Sequence, residues 1–276
     1  MQHRTYDLLP RFPALAGGET PISLTGYVRD PLPVLASDNR RWAALILPGG
    51  GYGMVSTLEA EPVALALLAA GIQAFVLEYP VAPDRHPRPL LAAAAALAFL
   101  KEHRREFGAD RFAVVGFSAG GHLAGTLSNL WHTAPLSEVL DLPAECFRPD
   151  AAVLSYPVTV DSPKTFENLL GPGTAPSGPL SPLVLDASVQ AKTPPTFLWA
   201  TQSDQMVPVE NTLRYAQALQ REGVPFEFHL FPSGPHAMGL ATGETAPGRS
   251  YADPHVARWL PLCLEWLSRL PEEGRS

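Results

Sequence analysis

Short apolar runs alternate with helix-like segments along most of this 276-residue chain, and the alternation restricts the folds that it can adopt. The apolar runs are short, as is typical of strands. They lie at residues 42–47, 72–77, 111–115, 151–156, 196–200 and 226–231, with an alternating, edge-type run at 22–28. Helical patterns cover residues 60–70, 91–107, 209–222 and 255–270, together with the segment after Ser118. Strands joined by helices form parallel pairs, so the sequence predicts an α/β fold with a mostly parallel sheet of about eight strands and helices on both faces.

The domain organisation follows from the same pattern. No internal repeat is visible and no linker separates two patterned halves, so we predict that residues 1–276 form a single domain. We expect N-terminal edge strands within residues 1–40. Residues 161–195 are rich in Pro, Gly and Ser, and residues 166–170 are their only helix-like part. Because long loops without secondary structure are usually functional in compact domains, we expect 161–195 to be an insertion loop beside the active site.

Composition and charge exclude several classes of partner. The chain is 46% hydrophobic, carries a net charge of −7 and has no run of Lys or Arg, so neither nucleic acid nor an anionic membrane surface is expected as a partner. Its longest apolar stretch, residues 90–100, is too short to span a bilayer. The two cysteines form no metal-ligand spacing. Residues 1–18 lack the apolar core of a signal peptide, and we therefore expect a cytoplasmic protein.

The segment Gly-Phe-Ser-Ala-Gly at residues 116–120 has the spacing of a nucleophile elbow. The apolar run at 111–115 precedes it, and small residues suited to a packed helix start follow it. A serine hydroxyl is a weak nucleophile and must be held on a tight turn, next to a base that removes its proton. Strand, turn and helix supply that context here, which favours a catalytic Ser118 over a small-residue turn without chemistry.

A base and an orienting acid are expected in loops that directly follow strands, because sites in parallel sheets form beyond the carboxyl ends of the strands. The loop after 196–200 contains Asp204, and the loop after 226–231 contains His236. Glu210 is an alternative acid, but it falls in the first turn of a helix, where carboxylates occur for dipole reasons alone. We therefore predict a catalytic triad of Ser118, Asp204 and His236, and no metal site.

Three glycines, Gly49 to Gly51, follow the first buried strand and could turn backbone N–H groups into a cavity. The run lacks both the Gly-Lys-Ser/Thr ending of a phosphate-binding loop and the spacing of a dinucleotide fingerprint. We predict an oxyanion hole formed by the N–H groups of Gly50, Gly51 and Ala119, because acyl transfer places negative charge on a carbonyl oxygen. Tyr52 is a candidate substrate-binding residue, with a place in the core as the alternative.

Several segments together resemble a serine carboxylesterase of the α/β-hydrolase superfamily, and more narrowly the bacterial acetyl esterase and acetyl xylan esterase-like proteins related to the hormone-sensitive-lipase branch. They lie at residues 48–52, 61–64, 116–122, 155–158, 166–171, 194–199, 207–211 and 234–236. The resemblance implies an α/β-hydrolase fold, with the triad of the family on Ser118, Asp204 and His236. One departure is Pro48, which stands where the lipase branch usually has histidine.

The resemblance implies an esterase that hydrolyses short-chain acyl esters, acetyl esters above all, of small alcohols or sugars. Such an enzyme works through an acyl-enzyme and needs no cofactor; its partner is a small-molecule ester. Two alternatives stay open: an acyltransferase or small peptidase with the same triad, and a non-catalytic ligand-binding protein of the same fold. The sequence leaves the oligomeric state open, with a homo-oligomer as one alternative.

Overall fold

A computed structural model describes residues 1–30, 41–160 and 162–271 of the chain. The strands of its sheet are β1 (Gln2–Tyr6), β2 (Ser23–Val28), β3 (Arg41–Leu47), β4 (Gln73–Glu78), β5 (Ala109–Phe117), β6 (Ala151–Ser155), β7 (Thr196–Thr201) and β8 (Phe226–Phe231). The helices are α1 (Glu61–Ala69), α2 (Arg88–Glu102), α3 (Arg104–Phe107), α4 (Ala119–Leu130), α5 (Ala134–Leu140), α6 (Pro163–Leu170), α7 (Leu185–Ser188), α8 (Glu210–Arg221) and α9 (Trp259–Arg269).

The eight strands form one sheet in the order β1-β2-β4-β3-β5-β6-β7-β8. β1 pairs with β2 and β2 with β4 in antiparallel fashion, and all pairs from β4 to β8 are parallel. The predicted α/β fold with a mostly parallel sheet of about eight strands is therefore confirmed. Since β3 and β5 to β8 run in the same direction, the loops after them meet at one edge of the sheet.

Helices cover both faces of the sheet, because each central strand buries side chains on both sides. On one face, Leu45 and Val114 belong to a core cluster that includes the alanine-rich helix α2 and helix α4. On the other face, Ile46 and Val115 belong to a second cluster with residues of α1 and α9. Neighbouring residues of one strand thus enter different cores, as the side-chain alternation of a strand requires.

Helix α4 lies unusually close to the sheet because of two glycines. A Cβ atom at Gly116, in β5, would lie 2.2 Å from the carbonyl oxygen of Gly120. A Cβ atom at Gly120, in α4, would lie 2.0 Å from the carbonyl oxygen of Leu47. Both positions therefore require glycine, and the start of α4 is held against the end of β3.

Residues 161–195 contain more secondary structure than the one helix-like part that the sequence predicted at 166–170, which lies in α6; residue 161 itself lies outside the described residues. They contain α6, a 3₁₀ segment at Gly178–Leu183, and α7. Pro163 occupies the first turn of α6, where a missing N–H costs nothing, so its presence did not break the helix. Helix α5 was also not predicted, and the predicted helix 91–107 starts earlier and is divided at His103 into α2 and α3.

Two strands lie within residues 1–40, where we expected edge strands: β1 is at the edge of the sheet, whereas β2 pairs with both β1 and β4. Residues 31–40 lie outside the described part of the chain. No helix among the described residues is long and apolar enough to cross a membrane. The single-domain assignment of residues 1–276 stays a prediction.

Candidate active site

Three loops at the carboxyl edge of the sheet bring Ser118, His236 and Asp204 into one hydrogen-bonded chain. Nε2 of His236 lies 2.7 Å from Oγ of Ser118. Nδ1 of His236 lies 2.6 Å from Oδ2 of Asp204. All three residues are at least 92% buried, with exposed fractions of 8%, 8% and 4%. A carboxylate only accepts hydrogen bonds, so Nδ1 carries a proton and Nε2 is free to accept one from the serine hydroxyl.

The backbone of Ser118 is held in a turn that few residues adopt. Its φ is 53° and its ψ is −117°, and helix α4 begins at the next residue. The carbonyl oxygen of Ser155 accepts its N–H at 3.0 Å, and its own carbonyl oxygen accepts the N–H groups of His122 and Val158. Unusual backbone geometry persists only where the surroundings fix it, and these bonds tie the turn to the end of β6.

Asp204 is fixed by its own loop. Its Oδ1 atom accepts the N–H groups of Met206 and Val207, both at 2.9 Å. The other oxygen is thereby aimed at His236. Glu210, the alternative acid, is the exposed first residue of α8 and makes no such contact with the histidine within the described residues.

The loop of His236 is joined to the loop of Asp204 by side chains that the sequence analysis did not single out. The Ser203 hydroxyl donates to the carbonyl oxygen of Gly234 at 3.1 Å and accepts its N–H at 2.9 Å. The Thr201 hydroxyl donates to the same carbonyl oxygen at 2.8 Å. The ring of Tyr156 meets the imidazole of His236 edge-on, with centroids 5.1 Å apart. The position of the imidazole is thus set from two sides.

Residues 48–53, here called the glycine loop, follow β3 and approach the serine. Gly50 and Gly51 have φ values of 125° and 63°, which glycine adopts without strain. The N–H of Gly49 donates to Oε2 of Glu59 at 2.7 Å. The N–H groups of Gly50, Gly51 and Ala119 donate to no other described residue. Those three donors are free to bind an anionic oxygen.

Tyr52 is 1% exposed and lies within the protein rather than on an open surface. Its hydroxyl lies 2.8 Å from Nδ1 of His122, whose Nε2 lies 2.8 Å from the carbonyl oxygen of Leu183. A carbonyl oxygen only accepts, so Nε2 of His122 is the protonated nitrogen and Tyr52 donates to Nδ1. Burial lowers the pKa of His122 from its ordinary value to about 4. This geometry gives Tyr52 a supporting position in the glycine loop; its contact with substrate stays a prediction.

Two buried residues near the site were missed by sequence reasoning. Glu59 is 1% exposed and lies at the end of a 3₁₀ turn, Thr57–Glu59. Tyr156 is 2% exposed and immediately follows β6. Its position at the end of a strand could have marked it as a residue near the site. No comparable signal marks Glu59, since it neither follows a strand nor belongs to a motif. The described residues contain no group of three or more His, Cys, Asp or Glu side chains able to hold a metal ion.

Comparison with solved structures shows the same architecture. The acetyl ester-xyloside bifunctional hydrolase from Caldicellulosiruptor lactoaceticus is 36% identical, with a TM-score of 0.77 over 91% of this chain and 89% of that one. The carboxylesterase Cest-2923 from Lactobacillus plantarum is 26% identical, with a TM-score of 0.77 over 97% of this chain and 96% of that one.

Sequence comparison agrees with the structural one. An acetylxylan esterase from Xylanibacter ruminicola is 27% identical over 211 residues, which are 71% of this chain and 41% of that protein. The chain spans between 14% and 65% of the length of the curated relatives that it matches. A model of the alpha/beta hydrolase fold family matches residues 45–240. The chain therefore belongs to the alpha/beta hydrolase fold family and is a carboxylesterase- and acetyl esterase-like member of it.

Proposed function

We propose that this protein is a serine carboxylesterase that hydrolyses short-chain acyl esters, acetyl esters in particular, of small alcohols or sugars. The observation that carries the proposal is the chain of two short hydrogen bonds, 2.7 Å and 2.6 Å long, from Ser118 through His236 to Asp204. A buried serine hydroxyl, an imidazole and a fixed carboxylate in this order form an activated nucleophile. Binding alone has no use for such an arrangement.

The reaction has two halves. In the first, Nε2 of His236 takes the proton of Ser118 while Oγ attacks the ester carbonyl carbon. The tetrahedral intermediate collapses to an acyl-enzyme, and His236 gives the proton to the departing alcohol. In the second half, His236 removes a proton from water, which attacks the acyl-enzyme carbonyl carbon. The second tetrahedral intermediate then releases the acid as His236 returns the proton to Oγ of Ser118. Asp204 keeps Nδ1 protonated and stabilises the imidazolium formed in each half.

The oxyanion of both intermediates is bound by backbone donors. The N–H groups of Gly50, Gly51 and Ala119 are the candidates, since each lies beside Ser118 in sequence or in the glycine loop and donates to no other described residue. The N–H of Gly49 is excluded from this role because Glu59 already accepts it. Donors fixed before the reaction need no reorganisation as charge develops.

The names of similar proteins support the substrate class. One solved structure is an acetyl ester-xyloside hydrolase, and two curated relatives are an acetylxylan esterase and an ethyl acetate hydrolase from Pseudomonas putida. All three names refer to acetyl esters. Small acetyl esters, including those of sugars, are therefore the substrates that we propose for this chain.

The test is covalent labelling combined with product analysis. A fluorophosphonate should add one phosphonyl group, and peptide mass spectrometry should find it on Ser118. Incubation with acetylated xylo-oligosaccharides should release acetate, and added methanol or glycine amide should yield little methyl acetate or acetyl-glycine amide. Acetyl transfer to the alcohol or amine in preference to water would replace the esterase by an acyltransferase. The absence of labelling would favour a binding protein.

A further inference from the structure

We propose that Glu59 is a positioning residue for the esterase reaction: its buried carboxylate holds the glycine loop and the His236 loop in one arrangement. The inference rests on the proposed function, because it concerns the same site. Glu59 lies outside the triad and the three oxyanion donors; its carboxylate is buried and accepts the N–H of Gly49. Its effect on the reaction would pass through the backbone that it binds.

The carboxylate of Glu59 receives donors from separate parts of the chain. Oε2 accepts the N–H of Gly49 at 2.7 Å, and Oε1 accepts the hydroxyl of Tyr156 at 2.6 Å. The carbonyl oxygen of Gly49 also accepts the N–H of Ser56 at 2.9 Å, so hydrogen bonds hold both peptide units that flank the Cα atom of Gly49.

Gly49 is the point at which this anchor meets the nucleophile. A Cβ atom at Gly49 would lie 2.7 Å from Oε2 of Glu59 and 3.1 Å from Cβ of Ser118. The backbone of Gly49 is therefore in contact distance of the serine, with the carboxylate directly beside it. The next two residues, Gly50 and Gly51, provide two of the three proposed oxyanion donors. Fixing the N–H of Gly49 consequently sets the direction of the peptides that follow.

The other oxygen of Glu59 reaches the His236 loop through Tyr156. The Tyr156 hydroxyl, which donates to Glu59, accepts the N–H of Gly239 at 2.9 Å. Its ring meets the imidazole of His236 edge-on, and its own backbone has a positive φ of 37°. A side chain in such a backbone position is kept there by its surroundings. One carboxylate thus links the donors for the oxyanion to the loop that carries the base.

The network requires a carboxylate rather than an amide. Burial raises the pKa of Glu59, while the hydrogen bonds from Tyr156 and Gly49 act in the opposite direction. A glutamine at this position would present only one acceptor to the two donors Gly49 and Tyr156. Its NH₂ group would face a tyrosine hydroxyl whose hydrogen then has no acceptor, and an unpaired buried group displaces its neighbours.

The experiment compares wild type with Glu59→Gln, using p-nitrophenyl acetate as the substrate. We expect kcat to fall by about 10- to 100-fold with KM changed less than about threefold, because loss of alignment affects the transition state more than the bound ester. Glu61→Gln is the matched control: Glu61 is exposed at the start of α1, two positions away. We expect this control to retain wild-type kcat and KM.

A trifluoromethyl ketone separates positioning from general loosening of the fold. Ser118 Oγ adds to the carbonyl carbon of 1,1,1-trifluoroacetone, the hydroxyl proton passes to His236, and the carbonyl oxygen becomes a bound oxyanion. We expect its inhibition constant to weaken in Glu59→Gln by the same factor as kcat/KM. A variant that is merely less stable would show no such proportionality at a temperature where it is fully folded.

Tyr156→Phe provides a second variant, which keeps the assay decisive if Glu59→Gln fails to fold. It removes one donor to Glu59 and leaves the carboxylate on Gly49, so we expect a smaller loss of kcat, of about 3- to 10-fold. In the double variant, the loss of kcat should be less than the product of the two single losses, because the residues act as one unit.

Wild-type turnover and its loss in Ser118→Ala test the proposed function, whereas the ratios of the variants to wild type test the role of Glu59 alone. Wild-type kcat and ketone inhibition in folded Glu59→Gln, or in Tyr156→Phe, would overturn the inference.

Discussion

One oxygen of the Asp204 carboxylate lies 2.6 Å from Nδ1 of His236, while the other accepts the backbone N–H groups of Met206 and Val207. The carboxylate is therefore oriented by its own loop before it orients the imidazole. With Nδ1 protonated, Nε2 faces the hydroxyl of Ser118 as an acceptor. The protonation pattern that a general base needs is set by this one side chain.

Asp204→Asn tests that relationship. An amide that keeps its oxygen on the backbone donors must turn its NH₂ toward Nδ1, which favours the tautomer with the proton on Nε2. We expect kcat to fall by about 10³- to 10⁴-fold on p-nitrophenyl acetate. Glu210→Gln, in the exposed first residue of α8, should stay within about twofold of wild type. Equal losses in the two variants would contradict the assignment of the acid.

The parts of the site that could be predicted from sequence are those at the ends of continuous apolar strands. Asp204 follows β7, His236 follows β8 and Ser118 follows β5. Parallel strands place their carboxyl ends at one edge, so side chains far apart in sequence could be expected close together. Most of the strand runs were recognisable because both of their faces are buried, whereas β8, at the edge of the sheet, is only partly buried. The fold followed from the alternation of these runs with helices.

Glu59 could not be predicted in this way. It lies in a short 3₁₀ turn, and its partner Tyr156 is 97 residues away. Nothing in the local sequence distinguishes a buried carboxylate with partners from an ordinary exposed one, since its burial depends on tertiary contacts. The 3₁₀ segment Gly178–Leu183 and helix α7 escaped prediction for a related reason: Pro, Gly and Ser dominate the region around them, and packing rather than propensity fixes them.

The close approach of α4 to β3 gives a prediction about stability. In Gly120→Ala the new methyl group would lie 2.0 Å from the carbonyl oxygen of Leu47, so backbone must move. We expect the free energy of unfolding in urea to fall by about 3 kcal/mol. Gly243→Ala is the control, because no heavy atom lies within 4 Å of a Cβ atom there. If the two variants are equally stable, the packing argument is wrong.

His122 gives a prediction about pH. Its folded pKa is about 4, below its ordinary value of 6.5, because burial disfavours the charged ring. As the pH falls, His122 therefore takes up a proton in the unfolded chain before it does so in the folded protein. The stability that the neutral, buried ring gives the fold is present above about pH 6.5 and is lost between about pH 6.5 and pH 4. This loss amounts to about 2 kcal/mol between pH 7 and pH 5.

The measurement is the free energy of unfolding in urea at these two pH values. Between pH 7 and pH 5, the free energy of unfolding of His122→Gln should fall by about 2 kcal/mol less than that of wild type. His3→Gln, at an exposed position in β1, should retain the wild-type decrease. An unchanged pH dependence in His122→Gln would contradict the account of this buried ring.

Acyl chain length is the prediction that concerns specificity. Ser118 and His236 are each only 8% exposed, so little of either reacting group is open to solvent. A closed recess cannot admit extra methylenes without strain, whereas an open apolar groove would gain about 0.8 kcal/mol for each one buried. In a p-nitrophenyl ester series we expect kcat/KM to be highest for acyl groups of about two to four carbons and to fall steeply by about eight. A value that keeps rising beyond eight carbons would indicate an open groove.

The central claim is that Ser118 is the nucleophile of an esterase, and turnover of p-nitrophenyl acetate by Ser118→Ala tests it most directly. Among the side chains of the described residues, the one hydrogen-bond partner of this hydroxyl is Nε2 of His236. The variant should therefore fold with an unchanged melting temperature and lose several orders of magnitude in kcat. A purified, folded Ser118→Ala protein that retains more than about a hundredth of wild-type kcat would contradict the claim.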